Sequence, residues 1–135
     1  MIVHEIPGVL VVEWNEEAKT MVDTWSNYTI TAAQFRDAVL GKGVAWARVH
    51  GGRAWVVDSS KAKGAMPAEV QKLIETEVFK TFKSIGVKYF VTIKSGSAIT
   101  NMSISSYSAH VGPAGIQLVE IPDKDKAIAW LKEHR

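Results

Sequence analysis

The chain has 135 residues, 47% of them apolar, with 16 basic and 14 acidic side chains for a formal net charge of +2. That length suits one domain whose core needs no metal or disulfide staple. The absence of cysteine excludes disulfides, thiolate metal centres and cysteine nucleophiles and fits a reducing compartment.

Charges of both signs are interspersed, without the run of like sign that marks a nucleic-acid arm. The start, Met1-Ile2-Val3-His4-Glu5-Ile6-Pro7, has no basic segment, and Glu5 and Pro7 interrupt any apolar stretch, so no signal peptide is expected. No run approaches the ~18 apolar residues of a membrane span. The expectation is a cytoplasmic protein with neither a membrane span nor a nucleic-acid partner.

Ile2 to Ile6 reads as a strand or an ordered arm before Pro7-Gly8. Val9 to Trp14 and Lys19 to Ser26 are two strands joined by the polar turn Asn15-Glu16-Glu17, which makes an antiparallel hairpin. In the second of them Met21, Asp23 and Trp25 share one side, and Val22 and Thr24 the other. Thr31 is an N-cap for a first helix, in which Phe35, Ala38, Val39, Trp46 and Val49 recur at helical spacing. Gly41 and Gly43 lie inside that pattern, each costing ~1 kcal/mol relative to alanine. One long helix ending at Gly51-Gly52 is expected.

Ala54 to Val57 is a short strand ending in Asp58-Ser59-Ser60. Pro67 suits the first position of a second helix. Its stripe is Val70, Leu73, Ile74, Val78, Phe82 and Ile85, and Gly86 stops it. Val87 to Ile93 is apolar on both faces, the pattern of a covered, central strand. Ile99 to Ala109 reads as a third helix, weakened by four serines and ended by Gly112-Pro113. Ile116 to Ile121 is the last strand, and Asp123 caps a final helix containing Ala127, Ile128, Trp130 and Leu131. Strands alternating with helices predict an α/β fold. Its mixed sheet is parallel except for the N-terminal hairpin, with about four helices on its faces.

Catalytic signatures are absent. His4, His50, His110 and His134 include no pair at metal-ligand spacing, so no metal and no cofactor are expected. There is no G-x-S-x-G elbow, Walker loop or G-x-G-x-x-G. Trp14, Trp25, Trp46, Trp55 and Trp130 read mainly as packing residues.

The segment Trp55-Val56-Val57-Asp58, followed by a loop, Pro67-Ala68-Glu69-Val70-Gln71, Glu77-Val78-Phe79 and Ile85-Gly86-Val87-Lys88, resembles the SpoIIAA-like branch of the STAS superfamily. The hairpin of Trp14 to Glu17 and the ending Asp125-Lys126-Ala127-Ile128-Ala129-Trp130-Leu131 are similar as well, so the resemblance spans nearly the whole chain, residues 1–135. It implies a stand-alone STAS-like domain. Antagonists of that family carry a phosphorylatable serine or threonine at the start of the second helix. Here Met66, Pro67 and Ala68 stand there, so the phospho-switch is not expected at that point.

The expected function is a non-enzymatic regulatory or protein-interaction module. The alternative is a binder of a small apolar or amphipathic, lipid-like ligand, held between the sheet and a movable third helix. The partner is accordingly a protein or such a ligand, and a homodimer is left open. Ligands of open α/β sheets bind beyond the carboxyl ends of strands, near a switch in strand order. That places a candidate ligand site at Asp58, Ser59, Ser60, Lys61, Lys94, Ser95, Gly96 and Ser97.

Overall fold

Alternating side chains build the first three strands. In the computed structural model, which describes residues 1–134, β1 (Ile2–Ile6), β2 (Leu10–Asn15) and β3 (Thr20–Trp25) pair as an antiparallel meander. Leu10, Val12 and Trp14 of β2 and Met21 and Trp25 of β3 are buried on one face. Val22 is buried on the other.

Three helical crossovers then return the chain to strands parallel to β3: β4 (Ala54–Asp58), β5 (Tyr89–Ile93) and β6 (Gln117–Glu120). The spatial order of the six strands is their order in the chain. Every parallel crossover therefore steps in the same direction, and a constant handedness places its helix on the same face. The helices α1 (residues 32–50), α2 (residues 68–84) and α3 (Ala98–Ser108) cover that face and share its larger core. The last helix, α4 (Lys124–Glu133), lies on the opposite face, where Ala127 and Leu131 pack with Val22, Val56, Val91 and Ile93. The mixed sheet expected from the sequence is present, and β5 lies inside it between β4 and β6.

Thr31 caps α1 through a reciprocal box. Its Oγ1 accepts the Gln34 amide at 3.1 Å, and the Gln34 side chain accepts the Thr31 amide at 3.2 Å. The helix runs unbroken through Gly41 and Gly43, but residues Arg36–Gly43 are π-helical. The wider π turn holds an extra residue, and this rotates everything after it. The buried set becomes Phe35, Ala38, Val39, Val44 and Ala47. Trp46 is half-buried, and Val49, expected on the inner stripe, is 77% exposed. Gly43 explains the close seat of this helix. A Cβ there would stand 3.0 Å from the Trp55 ring. Gly51, at a φ of 73°, ends the helix in the left-handed conformation.

The second helix also contains a π segment, Ile74–Val78. Its expected stripe is buried through Phe82, Phe79 joins it, and Ile85 is half-buried. Pro67 stands one residue earlier than expected, as the N-cap. Both π segments turn toward the same place in the core.

Candidate functional site

Strand alternation puts Asp23 between Met21 and Trp25 on the core face of β3, where a carboxyl is costly unless it is paired. Asp23 is 3% exposed. Its Oδ2 accepts the Trp55 Nε1–H at 2.8 Å, whereas Oδ1 has no partner. Of the five buried side-chain polar atoms without a partner among the described residues, this one alone belongs to an ionisable group. Burial pushes the Asp23 carboxyl up to about 7 from an ordinary 3.8, against the opposite pull of the Trp55 hydrogen bond.

Asp23 lines a cavity of about 30 Å³ between the sheet and the helices. That is room for one or two water-sized groups. The π segment of α1 contributes Val39, the π segment of α2 contributes Ile74 and Val78, and Met66 comes from the loop before α2. Seven of the thirteen lining residues are aromatic, among them Trp25, Trp55 and Tyr107. Lysine, arginine and histidine are absent from the lining. Two π-helical segments bordering one cavity is notable, because such segments are rare and concentrate at functional sites.

A chain of buried hydroxyls lies beside the cavity. The Tyr28 hydroxyl hydrogen-bonds the Ser59 Oγ and lies 3.0 Å from the Tyr107 hydroxyl. Burial pushes Tyr28 up to about 12 and Tyr107 well above the usual tyrosine range. Both stay neutral, so they serve as hydrogen-bond donors and not as bases. Tyr107 belongs to both the chain and the cavity wall.

The eight residues singled out at the strand ends occupy one rim. The loops do converge: Ser59 N–H donates to Ile93 O at 3.1 Å, and Ser95 Oγ donates to Ala62 O at 2.7 Å. Their hydroxyls are largely taken up in holding the loops together. Ser59 is fully buried in the hydroxyl chain. Ser95 Oγ also accepts the Ser97 amide, and Ser97 caps α3 by accepting the Thr100 amide at 3.3 Å. Asp58 accepts the Ser60 amide at 3.0 Å. Ser60, Lys61 and Gly96 are exposed or half-exposed, and Lys94 pairs with Glu120 at 3.5 Å. The strand order contains no reversal, so the switch-point geometry that motivated this site is absent from the sheet. Of the eight, Asp58 and Ser60 border a shallow surface depression with Asp123 to Lys126.

The serines of α3 have a structural role that composition did not reveal. Ser103 Oγ accepts the Met66 amide at 3.0 Å, and Thr100 Oγ1 donates to Gly64 O at 2.8 Å. These bonds tie α3 to the loop that carries the cavity residue Met66. Ile104 and Tyr107 of α3 are buried, whereas Ile99 and Met102 are 60% and 72% exposed.

Trp14, Trp25 and Trp55 are core residues. Trp46 and Trp130 are half-buried, and each stacks on the histidine four residues later, His50 at 4.0 Å and His134 at 3.8 Å. Two of the four histidines are therefore paired with tryptophan at helix ends. The described residues contain no group of three His, Cys, Asp or Glu side chains able to hold a metal. No described helix is long and apolar enough to cross a membrane. Comparison with protein-family models, with curated proteins and with solved structures finds no match in any of the three.

Proposed function

We propose that this protein is a non-enzymatic regulatory module whose input is a small, largely apolar molecule that seats its polar group in the Asp23 cavity. The observation that carries this proposal is the unpartnered Oδ1 of Asp23, a buried carboxyl oxygen on a residue that lines an apolar cavity. A native carboxyl left in that state destabilises the empty protein, and a bound polar group would relieve it. The resemblance to stand-alone STAS-like domains supports a regulatory role. So does the position of Tyr107, which links the cavity wall to α3 and its exposed Ile99 and Met102. No nucleophile joins Asp23 at the cavity, and the neighbouring tyrosines are held neutral.

A thermal-shift screen of small apolar fragments against the wild type and Val39→Leu tests this function. Val39 lines the cavity, and the added methylene reduces its volume. Ligands of the site raise the wild-type Tm by several degrees and lose most of that effect in the variant. Fragments that shift both proteins equally, or none that shift the wild type, would refute a ligand site here.

A further inference from the structure

We infer that the group bound at Asp23 is the ammonium head of a small organic amine. The inference rests on the cavity being a ligand site and adds the chemical class of the ligand.

Three observations carry it. The Asp23 Oδ1 has no hydrogen-bond partner. The twelve other residues that line the cavity include no basic side chain, so the protein supplies no countercharge from the cavity wall. Seven of those residues are aromatic, and aromatic faces attract cations, most strongly where water is excluded. A carboxylate set among aromatic rings is a site for a desolvated organic cation. A neutral hydroxyl would satisfy Oδ1 as a donor but would not compensate the charge that the carboxyl carries once its proton has left.

Size limits the class further. The cavity of about 30 Å³ accepts a primary or singly methylated ammonium and little of its tail. The tail must lie toward the most accessible lining residue, Met66, which is 7% exposed. The flexible thioether of that residue can yield to different shapes. Tyr107 is the other titratable group in the lining, and Tyr28 stands behind it. Burial keeps both neutral through the physiological range, so the proton that competes with the amine is that of Asp23.

The test is an amide-detected NMR titration with isobutylammonium and its neutral counterpart isobutanol, at pH 8 and pH 5.5, on the wild type and Asp23→Asn. The amine should perturb the amides of Val39, Val78 and Phe82 and bind at least tenfold more tightly than the alcohol at pH 8. Competition with a proton released near 7 should weaken the amine roughly thirtyfold at pH 5.5 and leave the alcohol little changed. In Asp23→Asn the preference for the amine should vanish. Equal binding of alcohol and amine at pH 8 would leave the cavity a ligand site and overturn the cation assignment. Amine binding that does not change with pH would overturn it also, even if Asp23→Asn failed to fold. Failure of both probes to perturb these cavity amides would overturn both the cation and the site.

Discussion

Asp23→Asn removes the ionisable group from the core while keeping an oxygen that can accept the Trp55 Nε1–H, now 2.8 Å from Oδ2. In the unfolded chain the carboxyl releases its proton near 3.8, and in the native protein near 7. Between those values the native state binds more protons than the unfolded state, so stability falls as pH rises. The contribution is whole below 3.8 and gone above about 7. A separation of about three pH units at 1.36 kcal/mol each makes the total roughly 4 kcal/mol, with about 2 kcal/mol lost between pH 5 and pH 7, where the carboxyl is already half ionised. Against a typical domain stability of about 5–15 kcal/mol this is a large share. Urea unfolding of both proteins at half-unit steps from pH 4.5 to 8.5 measures it. The difference in stability between wild type and variant should move in the variant's favour by about 2 kcal/mol from pH 5 to pH 7. Parallel profiles would refute the claim that Asp23 stays protonated in the fold well above its ordinary range.

Tyr28→Phe removes the Tyr28 bonds to both the Ser59 and Tyr107 hydroxyls and should cost about 1–3 kcal/mol. Tyr107→Phe spares the Tyr28 to Ser59 bond and should cost less, and the reverse order in urea denaturation would contradict the hydroxyl chain. Gly43→Ala sets a methyl 3.0 Å from the Trp55 ring. Overpacking of about 1–3 kcal/mol should outweigh the ~1 kcal/mol gain in helix propensity, so the variant unfolds at lower urea. Arg53 donates to the carbonyls of Leu131 and, at 2.7 Å, His134 at the end of α4. Arg53→Ala should weaken that end by about 1.5–3 kcal/mol, read as faster amide exchange in α4 than in β4.

Local signals were the legible ones. Thr31 and Asp123 cap helices because a cap is a property of three or four consecutive residues, and both do so. The expected alternation of β3 is observed, including the side that Asp23 shares with Met21 and Trp25. Its meaning was hidden because alternation does not say which face another layer will cover. Only the packing of α1 and α2 over β3 turns Asp23 into a buried carboxyl. Val49 was misplaced for a related reason. A 3.6-residue period carried past Arg36 ignores the π turn, which is bound up with the approach of Gly43 to Trp55, a contact between distant parts of the chain. The Trp-x-x-x-His spacing at Trp46 and Trp130 was visible and gave a usable signal. A ring four residues before a histidine at a helix end favours stacking, and His50 and His134 each also place Nδ1 within 2.9 Å of the tryptophan carbonyl. The strand-end loops meet, but hydroxyls that bond each other leave little for a ligand.

Because each strand lies beside its predecessor in the chain, the sheet can grow during synthesis by adding units to an edge that already exists. Each parallel pairing must still close a helical crossover before it forms, which slows folding. The second face has a different history. Val22, Val56, Val91 and Ile93 are in place once β5 has formed, yet their cover, Ala127 and Leu131, arrives with the last helix. Throughout that interval the nascent protein displays an apolar sheet surface of the kind that recruits chaperones or pairs with other chains. The Arg53 contacts to the carbonyls at the end of α4 hold that cover in place.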